Sequence, residues 1–107
     1  MTIQILHYEF LGPIKLSEWG PPMDKVVYII FNQNKSGFIP LHAGESDKTD
    51  QKDFFTQNDN FKCWIQHAGN EQSLYLAILP LWESEESERK RIVEKIISKY
   101  RPLCQIE

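Results

Sequence analysis

The side chains best placed to do chemistry are Tyr28, His42 and Glu45, which share one stretch from Lys25 to Ser46. It reads K-V-V-Y-I-I-F, N-Q-N-K-S-G, F-I-P-L-H-A-G-E-S. His42 carries an imidazole, which titrates near pH 6.5 and can serve as a general base. Glu45 follows Gly44 directly and carries a carboxylate. Tyr28 stands in the middle of an apolar run, as a strand tyrosine whose hydroxyl reaches the surface. Cys63 and Cys104 lie far apart without C-x-x-C spacing. With His7, His42 and His67 they form no recognisable zinc signature. The expectation for them is two reduced thiols, one or both buried, and no metal. Trp19, Trp64 and Trp82 are available as interface anchors, although at this size most tryptophans fill the core.

These residues need a scaffold, and the pattern around them supplies one. Lys25 to Phe31 is β-branched and aromatic throughout, which suits a buried strand. Asn32 to Gly37 is a polar turn, and Phe38 to Ala43 returns as a second strand that Gly44 ends. Upstream, Met1 to Phe10 places Ile3 and Ile5 on one alternating face and Leu6, Tyr8 and Phe10 on the other, as one strand added to the sheet. Leu11-Gly12-Pro13 punctuates that strand, a single helical turn is expected around Ser17, and Gly20-Pro21-Pro22 enforces an extended connection.

Downstream, Glu45 to Asp53 reads as a charged loop with a short helix, anchored by Phe54 and Phe55. The residues Asn58 to Asn60 can cap the next element. Phe61, Trp64, Ile65 and Ala68 follow helical spacing, and Gly69 fits the position just past a helix end. Ser73 to Leu79 is continuously apolar, as in a central strand covered on both faces. Ser84 to Tyr100 is the long helix. Ser84 is placed to cap it, Glu85, Glu86 and Glu88 suit its positive end, and Lys95, Lys99 and Arg101 suit the other. Its apolar stripe is Ile92, Val93, Ile96, Ile97 and Tyr100, and Pro102 stops it.

At 107 residues the chain forms one domain able to bury a core. Three Trp, four Tyr and six Phe promise a well-filled interior. With 12 basic and 15 acidic residues the net charge is -3, which argues against a wrapping, sequence-blind grip on nucleic acid. The start of the chain lacks a basic, apolar leader, and no stretch approaches the roughly 20 apolar residues of a membrane span. A cytoplasmic protein without membrane contact is expected. The fold expected is α+β, a three- to four-stranded, mainly antiparallel sheet with short helices and a long C-terminal helix packed on it. Residues 25–105 form the core, and residues 1–24 an N-terminal extension with a possible added strand.

This order of elements, and the motifs within it, resemble the GIY-YIG nuclease domain. Val26-Val27-Tyr28 stands where that family has G-I-Y, and His42-Ala43-Gly44 where it has Y-I-G. Gly44-Glu45-Ser46 looks like the usual continuation, and Ile96 to Gln105 (I-I-S-K-Y-R-P-L-C-Q) is similar to the closing helix. In active members a tyrosine activates water, an arginine steadies the phosphate, a helix glutamate holds Mg²⁺ or Mn²⁺ and a closing asparagine completes the site. Such a set supplies charge neutralisation and an oriented water.

Carried over by position, the resemblance implies Tyr28, His42 and Lys52 as the catalytic set. Lys52 and Gln105 become the nucleic-acid contacts. The family's arginine falls on Lys52, which lacks the two-pronged guanidinium and is flanked by Asp50 and Asp53. The family's metal-binding glutamate falls on Val93, inside the apolar stripe. Its neighbour Glu94 is turned away by about 100°. Glu45 is left as the candidate metal ligand. The expectation is a catalytically impaired relative that binds nucleic acid through a local cleft, or binds protein. The alternative is an active endonuclease whose Mg²⁺ or Mn²⁺ is held by a non-standard ligand.

Overall fold

The structure, a computed structural model, describes residues 2–18, 24–34, 37–48 and 61–104. It is an α+β fold in which one antiparallel sheet carries a helix on each face. The elements are β1 (Thr2–Ile5), β2 (Tyr8–Lys15), β3 (Asp24–Asn34), β4 (Gly37–Lys48), α1 (Phe61–Ala68), β5 (Leu74–Pro80) and α2 (Glu86–Tyr100). Short 3₁₀ turns at Leu16–Glu18 and Glu71–Ser73 connect them. The strands lie in the order β1-β2-β5-β3-β4, so β5 is central, as its apolar run requires.

Five strands form, rather than three or four, because the N-terminal segment contributes two. The apolar alternation shifts phase between Ile5 and Leu6, and Leu6 adopts a left-handed conformation (φ 58°) that reverses the chain. Ile3 then faces Phe10 and Ile5 faces Tyr8, so both halves cover the same side of the sheet. Gly12-Pro13 does not end the second half. It is absorbed as a register shift between Leu11 and Ile14 on β2. A side chain at Gly12 would meet the Leu76 carbonyl at 2.7 Å, so only glycine lets β2 pass this close to β5.

The β3–β4 hairpin is longer than its composition suggests, since β4 runs through Gly44 to Lys48. Ladder bonds to β3 continue past the glycine, with Val27 opposite Glu45 and Val26 opposite Ser46. A register shift at Ile30/Phe31 accommodates Pro40, which has no N–H to give to the ladder.

Alternation along β3 splits the core in two. Val26, Tyr28 and Ile30, with Leu41, Leu74, Leu76 and Ile78, pack under Trp64 of α1. Val27, Ile29 and Phe31, with Ala43, Ala77 and Leu79, pack under Ile92 and Ile96 of α2. α1 ends as expected, with Gly69 at φ +87° donating its N–H to the Ile65 carbonyl at 2.8 Å. α2 begins differently. Glu85 occupies the N-cap position without a side-chain cap, while the hydroxyl of Ser84 donates to the Leu81 carbonyl at 2.6 Å. Beyond Arg101 the chain turns back, and the N–H groups of Leu103 and Cys104 donate to Pro40 and Leu41 at 3.3 and 2.7 Å. This covers part of the outer edge of β4, which would otherwise expose unpaired backbone groups. No helix among the described residues is long and apolar enough to cross a membrane.

Candidate functional site

Tyr28 and His42 do come together, on the α1 face. Tyr28 faces Gly44 across the β3–β4 ladder, and its ring lies over that glycine. A β-carbon on Gly44 would sit 2.6 Å from the Tyr28 hydroxyl and 3.3 Å from Nε2 of His42. The Tyr28 and His42 ring centroids are 6.0 Å apart, and His42 in turn leans on Trp64 at 5.3 Å. All three side chains are buried. Nδ1 of His42 and Nε1 of Trp64 are buried without a hydrogen-bond partner among the described residues.

Burial shapes the chemistry of this pair. The Tyr28 phenol is pushed up to about 12, mainly because burial penalises the phenolate, with the nearby negative charge of Glu45 adding to it. The His42 imidazole is lowered to about 4, again by burial, against a hydrogen bond to the Cys104 backbone that favours the charged form. At neutral pH both groups are uncharged. They offer no positive charge to a phosphate, and the cover of α1 leaves them little open surface.

Glu45 belongs to the other face. Being opposite Val27, it projects towards α2, where its Oε2 accepts a hydrogen bond from Nε of Arg89 at 2.9 Å. Nη1 of Arg89 donates to both the carbonyl and the hydroxyl of Ser84 at 3.1 Å. Arg89 is only 1% exposed. Its guanidinium is thus held by a carboxylate, a carbonyl and a hydroxyl, the set that makes a buried cation tolerable. The carboxylate considered as a metal ligand is engaged by this arginine and points away from the Tyr28–His42 face.

Val93 is half-buried in the α2 core and Glu94 is exposed, which matches the helical phase expected of them. Lys52 and Gln105 lie outside the described residues. Arg89 was not anticipated as a functional residue. A signal was present, because Arg89 precedes Ile92 and Val93 by three and four positions and so extends the apolar stripe by one turn.

The cysteines correct the expectation of separate thiols. Cys63 and Cys104, 41 positions apart, are joined in a disulfide with a Cα–Cα distance of 5.8 Å. The return of the chain along β4 carries Cys104 to α1, a long-range event that spacing in the sequence does not express. His67 follows Cys63 by one helical turn, and its imidazole joins the two sulfurs. The potential ligand atoms of Cys63, His67 and Cys104 all lie within 4.8 Å of one another.

One further surface stands out. Trp82 is 68% exposed and borders an open depression of ≈ 450 Å³ with Leu81, Glu83, Ser84 and Glu88. Glu83, Glu85, Glu86 and Glu88 are all exposed beside it in the chain. Comparison with protein-family models, curated proteins and solved structures finds no match.

Proposed function

We propose that this chain is a GIY-YIG-like binding module that does not hydrolyse phosphodiesters and engages a basic segment of a protein partner. The observation that carries the reading is the Glu45–Arg89 pair at 2.9 Å, which removes the one candidate metal-binding carboxylate from the tyrosine face. The run of β3, β4, α1, β5 and α2 is the order the resemblance implies, and it supports the scaffold rather than the chemistry. Tyr28 stays protonated and His42 neutral, so neither neutralises the charge that phosphodiester cleavage develops.

For the partner, exposure and charge favour Trp82. Exposed tryptophans are frequent anchors at protein interfaces, and the glutamates around this one suit lysines or arginines better than a phosphate backbone. The net charge of -3 points the same way.

The test has two arms. Labelled single- and double-stranded DNA and RNA, incubated with the purified chain and Mg²⁺ or Mn²⁺, are expected to remain intact and unshifted at low salt. Cleavage abolished by Tyr28→Phe would restore the endonuclease alternative, and a shift of any of these nucleic acids would replace the protein partner. A fluorescent arginine-rich peptide is expected to bind at low salt, with affinity reduced roughly tenfold by Trp82→Ala. No peptide binding, or binding indifferent to Trp82, refutes the docking surface.

A further inference from the structure

We infer that the reduced chain binds one Zn²⁺ through Cys63, His67 and Cys104, and that the disulfide is the metal-free, oxidised form of the same site. Three ligands of the type zinc prefers converge from two segments, with their donor atoms within 4.8 Å of one another. Cys63 and His67 are one turn apart on α1 and so share a helical face. Cys104 is also brought to them by its backbone bond to Leu41 at 2.7 Å, a contact separate from the disulfide. Tetrahedral zinc separates two thiolate sulfurs by about 3.8 Å, a distance that side-chain rotation about a Cα–Cα spacing of 5.8 Å can reach.

The environment is graded in the way a loadable site requires. Cys104 is 4% exposed, Cys63 is half-buried and His67 is exposed, so a cation can enter at the histidine and end beside the buried sulfur. The His67 carbonyl accepts a hydrogen bond from Nδ2 of Asn32 at 3.3 Å, which ties this end of α1 to β3. Three protein ligands leave a fourth position for water, the arrangement of zinc centres that keep an open site.

The exchange between the two forms balances with a dithiol reductant. One thiolate of the reductant attacks the disulfide and its second thiolate resolves the mixed disulfide. The S–S bond of the protein breaks, two electrons pass to Cys63 and Cys104, and the reductant leaves as its own disulfide. Zn²⁺ then binds the two thiolates and any thiol protons go to solvent.

The test uses the full chain, reduced under anaerobic conditions with a phosphine that is then removed. Co²⁺ serves as the spectroscopic probe, followed by displacement with Zn²⁺. The reduced chain is expected to take up one equivalent of Co²⁺ with thiolate-to-metal absorption, release it to Zn²⁺ and gain thermal stability. The oxidised chain should take up none. His67→Ala, at an exposed position where the fold is not at risk, is expected to weaken binding by roughly tenfold or more and to alter the cobalt spectrum. Cys104→Ser should abolish the thiolate signature of a two-sulfur site. No metal uptake by the reduced chain overturns the inference, as does affinity unchanged by His67→Ala. The site shares no residue with the Trp82 surface, so its failure leaves the proposed binding function standing.

Discussion

Glu45 on β4 and Arg89 on α2 meet at 2.9 Å across the α2 face of the sheet, with Arg89 almost wholly enclosed. The pair ties the start of the long helix to the edge strand of the hairpin. It also engages the Glu45 carboxylate on the face to which the β4 register directs it.

Because Arg89 is enclosed, removing Glu45 takes a hydrogen-bonded carboxylate away from a buried charge. Glu45→Ala is therefore expected to lower unfolding stability by about 3 kcal/mol. Arg89→Leu should cost less where the leucine fills the space, since it removes the charge that must be paired. Urea unfolding of the two single variants and the double variant measures the coupling. Independent, additive effects would refute the pairing as a stabilising unit.

Gly44 is set by Tyr28. A methyl group there would lie 2.6 Å from the hydroxyl and 2.8 Å from Cζ of a buried ring. Gly44→Ala should destabilise by about 1–3 kcal/mol through forced displacement of that ring. Tyr28→Phe in the same background should recover part of the loss. Equal destabilisation with and without the hydroxyl would locate the cost in the backbone instead.

His42 makes stability fall on acidification. In the unfolded chain the imidazole titrates near 6.5, and in the fold at about 4. Between these values the unfolded chain binds more protons, so stability rises with pH. It is complete above the unfolded value and lost as pH falls towards 4. A loss on the order of 2–3 kcal/mol is expected across this window, and His42→Gln should flatten it. An unchanged slope in that variant would assign the effect elsewhere.

Tyr28 acts at the alkaline end with the opposite sign. Its phenol is raised from 10.0 to about 12 in the fold. Between these values the unfolded chain holds fewer protons, so stability is complete below pH 10 and declines as pH rises towards 12. Ultraviolet titration should show a late tyrosinate step near pH 12, and Tyr28→Phe should remove it.

The disulfide closes a loop across 41 positions, and its reduction removes a constraint on the unfolded chain. The chain-entropy relation puts its contribution at about 4 kcal/mol. Unfolding midpoints of the oxidised chain, the reduced chain and Cys63→Ser should differ accordingly, the last two falling together. If reduction leaves the midpoint unchanged, the loop constraint is not contributing.

Much of the architecture was legible in the chain itself. The spacing of Phe61, Trp64, Ile65 and Ala68 determined α1, the run from Leu74 determined a strand covered on both faces, and the stripe from Ile92 to Tyr100 determined α2. These patterns are local, since burial on one or two faces of a regular element imposes its own period. The helical phase also put Val93 inside and Glu94 outside. Less could be read where the chain breaks its own regularity, as at the reversal of Leu6, the absorbed Gly12-Pro13 and the continuation of β4 past Gly44. At these points ladder bonding to a neighbour outweighs local preference.

The site relationships were decided by tertiary structure alone. Glu45 and Arg89 are 44 positions apart, and their meeting depends on the register of β4 and on where α2 crosses it. Cys63 and His67 share a face of α1, but Cys104 reaches them only because the chain folds back along β4 after Pro102. Local spacing records which way a side chain points within its own element. Which element lies opposite is settled by long-range pairing, and here that pairing sent Glu45 to Arg89 and Cys104 to Cys63.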